Sequence, residues 1–404
     1  MSGTSLRAQA ADLILSISRQ KQILHDTEAQ FKTVQQQLDS LVYPVLTLPH
    51  EITSEIFVHC LPAKPSWLPN TTEAPLLLMH VCSAWRNIAG STPALWSTFN
   101  IALTAGIEPY PYFSEVAKAW LQRASHRPLS VKIFGRVSQA DNFGPFTETF
   151  RRHAAGMQSL ELYMEAVDFH RLYTGPLRFP MLQSLSIRLL ENGEDVDAYE
   201  ALEMFGDAPI LHELLMGDVP RSFIILPWDQ LTKFTGDLYN LVGCLGALRA
   251  MPNLVECHFS VYDTDHLDNN HVQPSSDGIP DSFSHPKLES LTLFESMSVA
   301  FLTPARSIKI LNFLTLPGLQ ILHIMGAQDF DEGELNSFLA RSAPPLRELL
   351  IRPHVHSEGH TEIQLTSFLP NLTDLEIWYP ENNLLTASST CSAGTMAFFR
   401  GSRA

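Results

Sequence analysis

The chain is short of paired cysteines, of charge and of long apolar runs, and each shortage removes a class of function. Its five cysteines, Cys60, Cys82, Cys244, Cys257 and Cys391, are scattered, with no Cys-x-x-Cys pair. Zinc ribbons and disulfide frameworks need clustered or paired cysteines. The expectation is therefore reduced thiols in an intracellular protein, cytoplasmic or nuclear, most of them buried as small hydrophobes. Charged residues make up 17% of the 404, below the usual ~25%. They are also unbalanced, with 27 Lys and Arg against 43 Asp and Glu, a net charge of −16. Phosphates and anionic head groups are met by Lys and Arg, so neither nucleic acid nor a membrane surface is an expected partner. No segment approaches the ~18 uninterrupted apolar residues of a membrane helix. The N-terminus lacks the basic stretch and apolar core of a signal peptide, so the sequons at Asn70 and Asn371 read as chance matches.

Signatures of catalysis are missing too. The chain contains no G-x-x-x-x-G-K-[ST] phosphate loop, no H-E-x-x-H zinc helix and no G-x-S-x-G nucleophile elbow. The best cluster of ligating types is His354, His356, Glu358 and His360. Imidazole with carboxylate suits zinc, but the run lies between two apolar phrases with no further ligand group, and a solvated loop is the default reading. Asp263, Asp265 and Asp268 lack the glycine and terminal glutamate of a calcium-binding EF-hand loop. The expectation is a protein that is not an enzyme and needs no metal or cofactor.

What is present is hydrophobic periodicity. Hydrophobic residues are 45% of the chain, so most of it is expected to fold. A length of 404 residues exceeds the ~250–300 at which single cores stop growing. Near the N-terminus two seven-residue series interleave: Leu6, Leu13, Gln20, Thr27, Val34, Leu41 and Ala10, Ile17, Leu24, Phe31, Leu38. Eight of these eleven positions are large and apolar, and no Gly or Pro falls between Leu6 and Leu41. A 3.5-residue period sustained this long predicts a coiled coil or a long docked helix over residues 1–43.

The stretch 47–62 (TLPHEITSEIFVHCLP) predicts a short helix. Thr47 is a candidate cap, Pro49 suits the first turn, Glu51 suits the positive end of the dipole, and Pro62 ends it. A loop with Pro and Asn follows, and a second helix is predicted from about Leu76 to Ala89, with Leu77, Val81, Trp85 and Ile88 on one side.

From about residue 127 a different phrase recurs, roughly Pro-x-Leu-x-x-Leu-x-Leu/Ile. It reads FPMLQSLSIRL at 179–189, APILHELLMG at 208–217, MPNLVECHFSV at 251–261 and HPKLESLTLF at 285–294. It continues as LPGLQILHIMG at 316–326, APPLRELLIRP at 343–353 and LPNLTDLEIWY at 369–379. In each phrase the last two apolar residues would share one face of a short strand, and the first would fill the bend before it. Helix-like stretches lie between, the clearest being DEGELNSFLARSAPP with Leu335, Phe338 and Leu339 inward. Repeats that bury a ladder only by stacking predict an α/β chain. In that reading an N-terminal helical segment and short helices precede an irregular leucine-rich repeat solenoid over 102–380. Residues 263–286 read as a polar loop, and 381–404 as an unstructured or truncated tail. Candidate outward positions are Ser186, Glu213, His258, Thr292, His323, Leu350 and Glu376.

Residues 48–99 resemble an F-box. The matching elements are Leu48-Pro49 with Glu51-Ile52, Ile56-Phe57, Leu61-Pro62, Val81-Cys82 with Trp85-Arg86, then Pro93 and Leu95-Trp96. The linker between Pro62 and Val81 is longer than in a typical F-box and resembles the variant common in fungal leucine-rich proteins; the later phrases look like repeats from the same families. The resemblance implies an F-box-like domain over 44–101 that docks the Skp-family adaptor of a cullin–RING ubiquitin ligase. It also implies that the rest of the chain selects a target protein. Carried over by position, the adaptor contact falls to Leu48, Pro49, Ile52, Ile56, Leu61, Pro62, Val81, Cys82 and Trp85, with Trp85 and Trp96 favoured as core. The competing expectation is a scaffold that self-associates through its N-terminal heptads and joins no ligase.

Overall fold

The structure, a computed structural model, describes residues 3–40, 47–66, 69–103, 113–135, 143–173, 175, 177–190, 200–217, 219–261, 282–295, 307–326, 331–352, 371–377 and 396–397. Two compact units divide the chain. One comprises 1–62 and 71–92, the other 63–70 and 93–404.

The first unit is helical. α1 runs over Gly3–Ser40, a length of ~57 Å at 1.5 Å per residue. α2 spans His50–His59, α3 Leu76–Val81 and α4 Ser83–Gly90. α2 starts one residue after Pro49, whose carbonyl accepts from the Thr53 amide (3.0 Å) and hydroxyl (3.2 Å). Thr47 lies outside the helix. The single helix expected over Leu76–Ala89 is broken at Cys82, which is extended (φ −157°, ψ 172°). The Cys82 Sγ accepts the Trp85 amide at 3.5 Å and so serves as the N-cap of α4. Thiols are weak acceptors and rank low as caps, and nothing in the local pattern signals the break.

The second unit is α/β. In chain order it contains β1 (Thr98–Leu103), α5 (Phe113–Ala124), β2 (Leu129–Gly135), α6 (Phe143–His153), β3 (Met157–Met164) and α7 (Ala166–Leu172). Then follow β4 (Ser184–Leu189), β5 (Glu213–Gly217), β6 (Lys233–Tyr239), α8 (Leu241–Ala250), β7 (Glu256–Val261), β8 (Phe283–Ser284) and β9 (Ser290–Glu295). The unit ends with β10 (Leu314–Thr315), β11 (Ile321–Met325), α9 (Glu332–Ser342), β12 (Glu348–Arg352), β13 (Asp374–Ile377) and β14 (Met396–Ala397). Twelve strands form one sheet in the order β1-β2-β3-β4-β5-β6-β7-β9-β11-β12-β13-β14, while β8 pairs with β10 apart from it. The pairings are parallel.

This overturns the expected leucine-rich repeat solenoid. The strand portion of the phrase recurs, but among the described residues no constant unit surrounds it. α5, α6 and α9 connect some strands, short 3-10 turns at Arg221–Phe223 and Trp228–Gln230 serve between β5 and β6, and Ser307–Phe313 forms a longer 3-10 segment. The result is a continuous, mostly parallel sheet in an α/β unit. Its continuity has a backbone cause. From the entry of β5 onward one carbonyl at each bend accepts two amides from the next strand's entry: Gln183 from His212 and Glu213, His212 from Thr232 and Lys233, Thr232 from Val255 and Glu256. The pattern continues through Val255, Glu289, Gln320 and Arg347. These paired bonds set each strand at the same offset as the last.

The core follows strand alternation. In register, Phe99, Val131, Leu160, Leu185, Leu214, Phe234, Cys257, Leu291, Leu322 and Leu349 form one buried row. A second row contains Ile133, Leu162, Ile187, Met216, Gly236, Phe259, Leu293, Ile324 and Ile351. The bend leucines Leu182, Leu211, Leu231, Leu254, Leu288, Leu319 and Leu346 are all buried. Gly236 interrupts the second row because Phe234 and Phe259 fill its place, their rings 5.7 Å apart with Tyr239 against both. α5 seals the β1 end: Phe113, Ala117, Trp120, Leu121 and Ala124 are buried, and the Trp120 indole donates to the Thr98 carbonyl at 2.9 Å.

Candidate interaction surfaces

On α2 and α3 large apolar side chains face water. Ile52 is 51% exposed and Ile56 44%, one turn apart on α2, with Leu48 just ahead at 38%. Leu77 and Val81 repeat the spacing on α3 at 45% and 54%. The unit's interior is made by other residues. Phe57, Thr53, Leu78 and Ala89 are buried, and the Phe57 ring lies 4.9 Å from that of Trp85. The carried-over contact set therefore separates. Leu48, Pro49, Ile52, Ile56 and Val81 are exposed; Leu61, Pro62, Cys82 and Trp85 are half-buried, with Cys82 capping and Trp85 packed. Thr53 was not singled out in sequence; its spacing of four from Pro49 is the signal that marks it.

Pro93, Leu95 and Trp96 belong to the second unit. Trp96 is fully buried, edge-on to Trp120 at 4.8 Å, with the Arg123 guanidinium 4.6 Å above its ring.

The face of the sheet opposite the apolar rows is polar and cross-linked by charge. Lys132 pairs with Glu161 at 2.6 Å, Lys233 lies between Glu213 and Glu256 at 3.6 and 3.5 Å, and Arg352 pairs with Glu376 at 2.7 Å. Arg188 on β4 reaches over Gly217 on β5 to Asp237 on β6 at 2.8 Å. The positions Ser186, His258, Thr292, His323, Leu350 and Glu376 form one row on this face, and Glu213 lies in the row beside it. Leu350 is buried; the others are half-buried. Burial lowers the pKa of His258, against the opposing pull of Asp237 and Glu256, and His323 adds to the lowering. His323 itself meets Glu348 at 2.9 Å.

A cavity of about 760 Å³ opens beside the end of β6 and the start of α8. Ile224, Leu226, Trp228, Leu238 and Tyr239 line it, together with Arg221, whose guanidinium is 5.5 Å from the Trp228 ring and donates to the Gly246 carbonyl at 3.1 Å. Leu238 has a left-handed backbone (φ 59°), where the register of β6 against β7 shifts.

The histidine cluster at 354–360 and the aspartates at 263–268 lie outside the described residues. Among the described residues no group of three or more His, Cys, Asp or Glu is placed to hold a metal ion, and no helix is long and apolar enough to cross a membrane. The thiols of Cys244 and Cys257 are pushed up by burial, whereas Cys60 is exposed. No protein-family model matches the chain, and no curated protein does.

Proposed function

We propose that the protein is a non-catalytic adaptor. α2 and α3 dock a Skp-family adaptor of a cullin–RING ubiquitin ligase, and the polar face of the sheet holds the protein to be ubiquitinated. The observation that carries this reading is the exposed apolar set Leu48, Ile52, Ile56 and Val81, which coincides with the adaptor-contact positions of the F-box resemblance. Four large apolar side chains exposed on two short helices, with Leu48 just ahead of the first, are a cost in water unless a partner covers them, and interface hot spots are built from large groups at well-packed centres. The sheet face, with its alternating charges, suits a polar, reversible contact. An intracellular location follows from this assignment.

The test is co-purification of the full chain with a Skp-family adaptor, beside an Ile52→Glu/Ile56→Glu variant. The two isoleucines are exposed, so the variant keeps the wild-type circular dichroism and melting curve. Adaptor retained by the wild type and lost by the variant supports the reading. A folded wild-type chain that retains no adaptor refutes it.

A further inference from the structure

We infer that α1 pairs with α1 of a second copy of this chain as a parallel, in-register, two-stranded coiled coil. The pairing is independent of adaptor docking. Along α1 the large members of the two interleaved series, Leu6 and Leu13 through Phe31, Val34 and Leu38, are 49 to 68% exposed. Ile14 and Ile23, at 63% and 59%, flank the seam and widen it. The charged residues of the helix, from Arg7 to Asp39, all fall outside both series.

The period decides what covers this stripe. A straight α-helix drifts ~20° per seven residues relative to a 3.5-residue repeat. Over Leu6–Leu38 a strict seven-residue pattern turns well away from any flat surface, and only a helix that supercoils with it stays in contact. Such a partner must be of comparable length. α1 has 38 residues, while the next longest described helix, α5, has 12. The partner thus comes from another molecule, and a second α1 carries the same period and the same uncharged seam.

The polar residues decide direction. Gln20 and Thr27 both fall in the series of Leu6, Leu13 and Val34. An antiparallel pair would set that series against Ala10, Ile17, Leu24, Phe31 and Leu38, leaving the Gln20 amide facing apolar groups. A parallel, in-register pair sets Gln20 against Gln20, where the amides satisfy each other, and Thr27 against Thr27, whose hydroxyls already donate to the Ile23 carbonyl of their own helix at 2.7 Å. Polar layers of this kind specify register at some expense of stability.

The full chain should therefore sediment at twice the mass of one chain in the micromolar range. A Leu24→Glu/Phe31→Glu variant should sediment as a single chain with unchanged melting of the remainder, and Arg19→Glu, on the outer side, should remain a dimer. Under mild oxidation Gln20→Cys in a Cys60→Ser background should yield a covalent dimer that Cys60→Ser alone does not form. A wild-type chain that stays monomeric, or a dimer that survives Leu24→Glu/Phe31→Glu, overturns the pairing. A non-covalent dimer in which Gln20→Cys fails to cross-link overturns its direction.

Discussion

Replacing Gly236 by alanine probes the packing of the sheet core at one atom. Gly236 is buried in the second core row, and its φ lies outside the left-handed region, so the backbone itself would accept alanine. In a compatible conformation Gly→Ala stabilises by ~0.4–1 kcal/mol through the unfolded state. Here the new Cβ would meet Phe259 Cδ1 at 2.9 Å, Phe234 Cε1 at 3.0 Å and Phe259 Cε1 at 3.1 Å. Both rings are buried and hold each other and Tyr239 in place, so neither yields cheaply. Overpacking of this kind costs ~1–3 kcal/mol, and the net expected loss is about 1–2 kcal/mol after the unfolded-state gain. Gly217 is the control. Its added Cβ would also meet an atom at 2.9 Å, but that atom is Cγ of Arg188, a half-exposed side chain at the polar face that gives way by loosening its 2.8 Å ion pair with Asp237, a partly exposed pair worth about 0–1 kcal/mol. Gly217→Ala should cost less than about 1 kcal/mol. Urea unfolding followed by circular dichroism measures both. In a Phe259→Leu background the Gly236→Ala penalty should shrink, with a coupling of ~0.5–3 kcal/mol. A Gly236→Ala protein as stable as wild type, or a penalty no larger than that of Gly217→Ala, would refute the packing argument.

Thiol labelling of the native protein should modify Cys60 rapidly and leave Cys244 and Cys257 unmodified until unfolding, since burial both shields those thiols and keeps them protonated. Mass mapping of the labelled peptides checks this. The pKa values of His258 and His170 are lowered by burial in the folded state, so below the ordinary value near 6.5 the unfolded chain binds protons that the folded chain does not. Stability contributed by the neutral imidazoles is present above that pH and is lost as pH falls through it. The melting temperature should decline from pH 7 to 5, and less steeply in His170→Gln/His258→Gln. Asp331 caps α9 by accepting the Gly333 amide at 2.8 Å. Asp331→Ala should cost ~0.5–2 kcal/mol, measurable as a shift in the urea midpoint.

The parts of this fold legible in the sequence are those governed by local periodicity. The phrases at 179–189, 208–217 and 316–326 each hold a strand whose alternate residues are buried, and α9 follows its cap Asp331 with Leu335, Phe338 and Leu339 inside. What they assemble into was not legible, because a recurring strand phrase specifies the strand and not its connection. The varied lengths and types of connection made one continuous parallel sheet where stacked repeat units were expected. On the candidate surface, Leu48, Ile52 and Ile56 follow from the carried-over F-box pattern, and Val81 from that pattern and from the apolar side expected of the second helix. The break at Cys82 did not follow, since it depends on a thiol accepting one amide. Nor did the role of Gly236, which exists only because two phenylalanines distant in sequence meet over it.

Amide hydrogen exchange of the full chain, with and without a Skp-family adaptor, tests the central claim most directly, because it locates the contact as well as detecting it. The account predicts that adaptor slows exchange in peptides covering 48–62 and 76–81 and leaves β4–β7 unchanged. Unchanged exchange in both helices, or protection confined to the sheet, would contradict it.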